Sequence, residues 1–78
     1  MQTVVARFHH LSRDLEEIED MLGASGAPDA RITGYLVAMT FDDAESHKEA
    51  AHAARRALDG IGATRIKVIK RESALAVH

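Results

Sequence analysis

The apolar positions of residues 31–71 change their spacing twice, from two to about three and a half and back to two. Alternation with a period of two is typical of a strand, and a period near 3.6 is typical of an amphipathic helix. The pattern predicts a strand over residues 31–41, a helix over 43–59 and a strand over about 64–70. A helix of this length also supplies the crossover that two parallel strands require.

The predicted helix has clearly separated apolar and polar arcs. Asp42 or Asp43 is suited to the N-cap position, and Gly60 is suited to the first position beyond the C-terminus. If Asp42 is the cap, Glu45 is placed for a capping-box contact. Because alanine dominates the apolar arc, the helix axis can approach a sheet closely. The apolar arc contains His47, Ala50, Ala51, Ala54, Ala57, Leu58 and Ile61.

Both faces of the predicted strand over residues 31–41 are largely apolar, which is typical of a strand in the middle of a sheet. The smaller side chains match the alanine arc of the helix, whereas the bulkier set needs a second cover. The smaller set is Ile32, Gly34, Leu36, Ala38 and Thr40, and the bulkier set is Thr33, Tyr35, Val37, Met39 and Phe41.

The strand near the C-terminus is predicted to be half exposed, since apolar positions alternate with basic ones. Residues 71–73 could then turn the chain into a short final strand over 74–77, which would form an antiparallel hairpin. The inward positions are Ile66 and Val68, and the opposite positions are Arg65, Lys67 and Arg71.

The first third of the chain admits two interpretations. Residues 3–8 are typical of a strand, and Ser12 is suited to cap a helix over residues 13–22 that ends at Gly23. We favour this strand and helix. The apolar residues also keep an unbroken spacing of four and three, which would suit one long helix from about residue 4. These residues are Val4, Phe8, Leu11, Leu15, Ile18 and Leu22.

The predicted elements fit one α/β domain over residues 1–78, of the α+β two-layer sandwich type. It would contain a small mixed sheet of three or four strands with two helices on one face, in the ferredoxin-like order β-α-β-α-β(-β). This arrangement leaves one sheet face bare, and an exposed apolar patch usually marks a contact surface. The predicted partner-binding residues on the bare face are Tyr35, Val37, Met39 and Phe41.

Composition restricts the class of protein. The chain has no cysteine, which excludes disulfides and cysteine-ligated zinc, and so small a domain relies on helix packing or self-association for stability. No apolar run approaches the roughly 20 residues that cross a bilayer, and the N-terminus lacks the pattern of a secretion signal. We therefore expect a cytoplasmic protein with no membrane partner.

The formal net charge of −2 is unevenly distributed. Residues 1–30 carry two basic and six acidic side chains, whereas residues 63–78 carry four basic and one acidic. This polarity suits oriented association with a partner or with a second copy. The acidic residues Asp14, Glu16, Glu17 and Asp20 are predicted to bind a protein partner, and Arg65, Lys67, Lys70 and Arg71 could instead contact the phosphates of a nucleic acid.

The five histidines do not have the spacing of a metal site. His47 and His52 are about 140° apart around a helix, and His9 and His10 would point to opposite faces of a strand. We predict no bound metal and no cofactor. His47 lies in the apolar arc, where it is either a packed histidine with a hydrogen-bond partner or a pH-responsive interface residue.

No catalytic residue is predicted. His9, His10, Ser12 and Asp14 are residue types found in catalytic triads, but a triad is defined by geometry between separate elements, and Ser12 is better explained as a helix cap. The leading hypothesis is a non-catalytic protein-binding module that acts as a regulator, inhibitor or subunit of a larger protein complex and forms a homodimer. The alternatives are a nucleic-acid-binding accessory protein and a regulatory domain with a small ligand at a dimer boundary.

Overall fold

The computed structural model describes residues 1–69, which form a four-stranded antiparallel sheet with two helices. The sheet has the order β2-β3-β1-β4, and each strand is antiparallel to its neighbours. The predicted α+β class is confirmed, whereas the prediction of a mixed sheet is wrong for these strands. In chain order the elements are β1 (Gln2–His9), α1 (Leu15–Ala24), β2 (Arg31–Thr33), β3 (Leu36–Phe41), α2 (His47–Gly60) and β4 (Thr64–Ile69).

The predicted strand over residues 31–41 is two strands joined by a turn at Gly34 and Tyr35. Gly34 has a φ of +62°, a left-handed conformation that glycine adopts without a steric penalty. The described order is therefore β-α-β-β-α-β rather than β-α-β-α-β(-β). Both β3 and β4 are antiparallel to β1, which lies between them, so α2 connects two parallel strands that are not neighbours. The predicted strand over 74–77 lies outside the described residues.

The turn also reverses the predicted face of β3. Ile32 is in register with Val37, so these residues lie on the same face of the hairpin. Val37 and Met39 are fully buried and Phe41 packs partly buried against the core, so the prediction that they line a bare face is wrong. Only Tyr35 is exposed as predicted, at 74%, because it belongs to the turn.

Both helices begin after a capping residue that the sequence pattern did not select. The Asp14 carboxylate accepts a hydrogen bond from the Glu17 N–H at 3.3 Å, so Asp14 caps α1 in place of Ser12. The Ser46 hydroxyl accepts from the Glu49 N–H at 3.2 Å, so α2 begins later than the predicted Asp42 or Asp43 cap. Ser46 and Glu49 have the spacing of a capping box.

The two helices end in the same way. Gly62, with a φ of +82°, follows the C-cap of α2, and the residue after it donates its N–H to the Leu58 carbonyl at 3.0 Å. This is a Schellman motif, in which a left-handed glycine allows the chain to satisfy the last carbonyls of a helix. Gly26, with a φ of +102°, ends α1 likewise. The predicted terminators Gly23 and Gly60 lie inside the helices instead.

One core lies between the sheet and the helix layer, and both helices contribute to it. The predicted strand and helix of the first third are confirmed, since β1 alternates between buried and exposed residues. The alanine arc of α2 does face the sheet. The main core residues are Val4, Ala6 and Phe8 of β1, Ile18 and Leu22 of α1, Val37 and Met39 of β3, and Ala50, Ala54, Ala57 and Leu58 of α2.

Candidate functional site

The sheet has a second face, opposite the helices, which we call the open face. Strand register brings its residues together: Val5 pairs with Ala38, and Arg7 pairs with Leu36 on one side and Lys67 on the other. All its side chains are exposed or half-buried. The open face comprises Thr3, Val5, Arg7 and His9 of β1, Arg31 and Thr33 of β2, Leu36, Ala38 and Thr40 of β3, and Lys67 and Ile69 of β4.

The open face is cationic. Arg7, Arg31 and Lys67 lie on it, and none of the four described strands contains an acidic residue. Every carboxylate side chain within residues 1–69 belongs to a helix or a loop. A sheet face that only needs solubility would carry charges of both signs, so this one-sided distribution favours an anionic binding partner.

The edge of the open face carries two neighbouring rings. The His9 and Tyr35 ring centroids are 6.2 Å apart, with the planes tilted by 31°. These rings border a shallow depression of about 470 Å³ that is also lined by Arg7, Thr33 and Leu36. An apolar or aromatic group of a partner would find here a ring surface next to a guanidinium.

Sequence reasoning missed Arg7, Arg31, Leu36 and Ala38 as members of a surface. The signal that could have found them was the glycine within the predicted strand, since an isolated Gly between apolar runs also indicates a hairpin turn. Placing a turn at Gly34 exchanges the two faces of the following strand. Arg7 and Arg31 would then have joined Lys67 on one face.

The predicted acidic residues form a surface on the helix layer, which we call the acidic α1 surface. Its carboxylates are all exposed, and Leu15 beside them is 43% exposed. Glu19 is separate from this surface, because its carboxylate accepts the Ile32 N–H at 2.8 Å and joins α1 to β2. The acidic α1 surface comprises Asp14, Glu16, Glu17 and Asp20, and the exposed residues Leu11, Arg13 and Leu15 adjoin it in sequence.

The histidine and serine of the segment before α1 make structural contacts. The His10 Nδ1 accepts the Ser12 N–H at 3.0 Å, so the proton of the ring is on Nε2, which donates to the Ile61 carbonyl at 2.7 Å. The Ser12 hydroxyl accepts the Asp14 N–H at 3.2 Å. These bonds connect the end of β1 to the end of α2 and shape the turn that precedes α1.

His47 is the first residue of α2 and is half-buried. Its Nε2 is buried and has no hydrogen-bond partner within residues 1–69, so the partner expected of a packed histidine is not found in the described part of the chain. An unsatisfied buried nitrogen costs free energy. Its role as a pH-responsive residue stays a prediction.

The basic residues of β4 lie at an irregular point of the sheet. The pairing of β4 with β1 shifts between Arg7 and His9, as in a β-bulge, and Arg65 has a φ of +52° there. Arg65 and Lys67 are both exposed, as a phosphate-binding role requires. Lys70 and Arg71, predicted to act with them, lie outside the described residues.

In the described range no three His, Cys, Asp or Glu side chains are grouped so that they could hold a metal ion. Neither α1 nor α2 is long and apolar enough to cross a membrane. Comparison of the chain with protein-family models, curated proteins and solved structures found no match to any of them.

Proposed function

We propose that this chain is a small non-catalytic interaction module that acts as a regulator, inhibitor or subunit of a larger protein complex. The open face is its binding surface. The observation that carries the proposal is the absence of any acidic residue from the four described strands, which leaves a cationic, partly apolar sheet face. Arginine and tyrosine beside small apolar side chains are also typical of protein interfaces.

The connectivity β-α-β-β-α-β corresponds to the ferredoxin-like, split β-α-β arrangement, and we propose this class for the chain. Such a fold supports many unrelated functions, so it adds nothing to the choice between them. Its relevance is geometric, because both helices lie on one face and the other face is left for a partner.

The size of the molecule is compatible with this use. It measures 34 × 26 × 17 Å, so its broad side is of the order of the roughly 800 Å² per partner that a standard protein interface buries. Val5 and Ala38, side by side across β1 and β3, give the centre of the open face a flat apolar floor. Arg7, Arg31 and Lys67 flank this floor and would contact the carboxylates of an acidic partner.

Affinity capture with a charge-reversed open face tests the proposal. The face variant carries Arg7→Glu and Lys67→Glu, and the control variant carries Arg55→Glu and Arg56→Glu on the exposed side of α2. We expect the wild type and the control to retain the same partner from the native host and the face variant to lose it, with circular dichroism showing that all three fold. Equal capture by all three, or loss only in the control, would overturn the proposal.

A specific observation also favours a nucleic-acid-binding function. Arg7, Arg31 and Lys67 share a face with the neighbouring His9 and Tyr35 rings, and phosphate contacts with base stacking are how single strands are bound. Fluorescence anisotropy with a labelled single-stranded RNA would test this. Binding that weakens with salt and is lost in Arg65→Ala with Lys67→Ala would support it, and no binding at low salt would exclude it.

A further inference from the structure

We infer that the open face binds a second copy of this chain, which places its acidic α1 surface there in a head-to-tail contact. The inference rests on the proposed function, because it names the occupant of the same face. It differs from a symmetric dimer, in which the same surface of both copies would meet.

The two surfaces lie on opposite layers of the molecule. Ile18 and Leu22 of α1 are buried in the core against the covered face of the sheet, so the exposed side of α1 is turned away from the sheet. The two layers meet at one rim of the molecule, where Leu15 and Tyr35 line the same cleft. Within one copy they cannot dock on each other, whereas two copies can stack layer on layer.

Charge complementarity selects the pairing. The acidic α1 surface carries the exposed carboxylates of Asp14, Glu16, Glu17 and Asp20. The open face carries Arg7, Arg31 and Lys67. Two open faces placed together would oppose cations without a carboxylate from any described strand, and like charges across an interface are unfavourable. The head-to-tail contact instead opposes carboxylates to cations.

The apolar side chains complement one another in the same way. Leu11, just before α1, is fully exposed, and Leu15, the first residue of α1, is 43% exposed at the border of the acidic α1 surface. Tyr35 and Leu36, exposed at 74% and 37%, border the depression on the open face. Together these are four of the five large exposed hydrophobic side chains within residues 1–69. The acidic α1 surface therefore offers apolar side chains next to four carboxylates and one cation, Arg13, and the open face offers them next to cations only, which suits an interface with a polar rim.

A head-to-tail contact leaves one open face and one acidic α1 surface free at the two ends of a dimer. Association can therefore continue beyond two copies unless the rotation between copies closes a ring. We expect oligomers that grow with protein concentration and dissociate as salt screens the charges.

Sedimentation velocity of the full chain, from low to high micromolar concentration, tests the inference with two variants. The face variant is Arg7→Glu with Lys67→Glu, and the helix variant is Glu16→Lys with Asp20→Lys. Glu16 and Asp20 are one turn apart and opposite the buried side of α1, so both reversals fall on the docking surface. We expect each variant alone to associate about tenfold more weakly than wild type or not at all.

Mixing the two variants is the decisive step. The face variant retains an intact α1 and the helix variant retains an intact open face, so their mixture should associate where neither does alone. The Arg55→Glu, Arg56→Glu control should sediment as wild type does. A helix variant that associates like wild type, or a mixture that stays monomeric, would overturn the inference.

The outcome separates this inference from the proposed function. A wild type that is monomeric at high micromolar concentration would overturn the head-to-tail contact. If the same protein still captures a partner that the face variant loses, the open face remains a binding surface with another occupant. Captured material that a nuclease removes would identify that occupant as nucleic acid and overturn both proposals.

Discussion

The two faces of the sheet differ strongly in the exposure and type of their side chains. Within β1, the covered face presents Val4 and Ala6, which are at most 1% exposed, and the open face presents Thr3, Val5 and Arg7. Successive residues of a strand point to opposite sides, so a shift of one position separates the core from the surface. The covered face therefore consists of buried apolar residues, and the open face carries polar, charged and small apolar residues.

Side chains on the covered face must fit the space of the core, whereas those on the open face are constrained mainly by what they can contact outside the molecule. Across the core α2 approaches the sheet mainly through alanines, so each buried side chain there must fill a defined space. The open face stabilises the fold less, because its side chains keep much of their contact with water. The cations of the open face can therefore take part in binding without a large effect on the stability of the fold. Substitutions on the two faces should separate these roles.

The largest expected difference is between two residues of β3. Met39 is fully buried on the covered face, whereas Leu36 is 37% exposed at the end of the open face. Truncation of a buried methionine to alanine removes apolar contacts and leaves a cavity, at a cost of about 2–5 kcal/mol. We expect Met39→Ala to lower the free energy of unfolding by this amount in urea denaturation, a large part of the stability of so small a domain.

Leu36→Ala is the matched control, since it removes a similar side chain from the same strand. We expect it to change the free energy of unfolding by less than about 1 kcal/mol. If Leu36→Ala lowered the free energy of unfolding as much as Met39→Ala, the two faces would not differ in their contribution to stability. In that case the open face would be covered in solution, and the same measurement at several protein concentrations would show whether a second copy covers it.

The next largest effect concerns the close approach of α2 to the covered face. Ala54 is fully buried in the core, while Ala51, one turn earlier, is half-buried. A leucine at Ala54 must push the helix away from the sheet or adopt a strained rotamer, which costs about 1–3 kcal/mol. Ala51→Leu can extend along the helix surface, and we expect an effect within about 0.5 kcal/mol.

Thermal denaturation of the two leucine variants, monitored by circular dichroism, measures this difference. If both variants unfold at the same temperature, the space beneath α2 is larger than the buried alanines indicate. If Ala54→Leu raises the unfolding temperature, the core contains a cavity at this position that the added side chain fills.

The sequence predicted most of the helix layer. The alanine arc of α2 required no tertiary information, because apolar periodicity over fourteen residues is a strong signal. The capping residues were harder to predict. Asp42, Asp43 and Ser46 are all suitable caps within five positions, and the cap depends on where the chain leaves β3 and folds back.

The open face was not predicted, for two physical reasons. Both alternating sets of residues 31–41 contain mostly apolar side chains, so the alternation does not show which face is covered, and only Gly34 indicated a turn. The cations of the open face are also distant in sequence, at Arg7, Arg31 and Lys67, and only strand order brings them together. A predicted acidic run, by contrast, lies within one helix and needed only local structure.

The smallest effect concerns the bulge at which β4 meets the open face. Arg65 has a φ of +52°, and a residue with a Cβ loses about 1–2 kcal/mol on adopting this left-handed conformation. We expect Arg65→Gly to raise the free energy of unfolding by about 0.5–1 kcal/mol, since glycine relieves the strain but loses more backbone entropy on folding. Arg65→Ala removes the same cation and keeps the strained backbone, so it should not stabilise the protein.

Equal stability of the two variants in urea would show that the backbone is relaxed at this position. If Arg65→Gly is stabilised and both it and Arg65→Ala fail to capture a partner that the wild type captures, the strained arginine is retained for binding rather than for the fold.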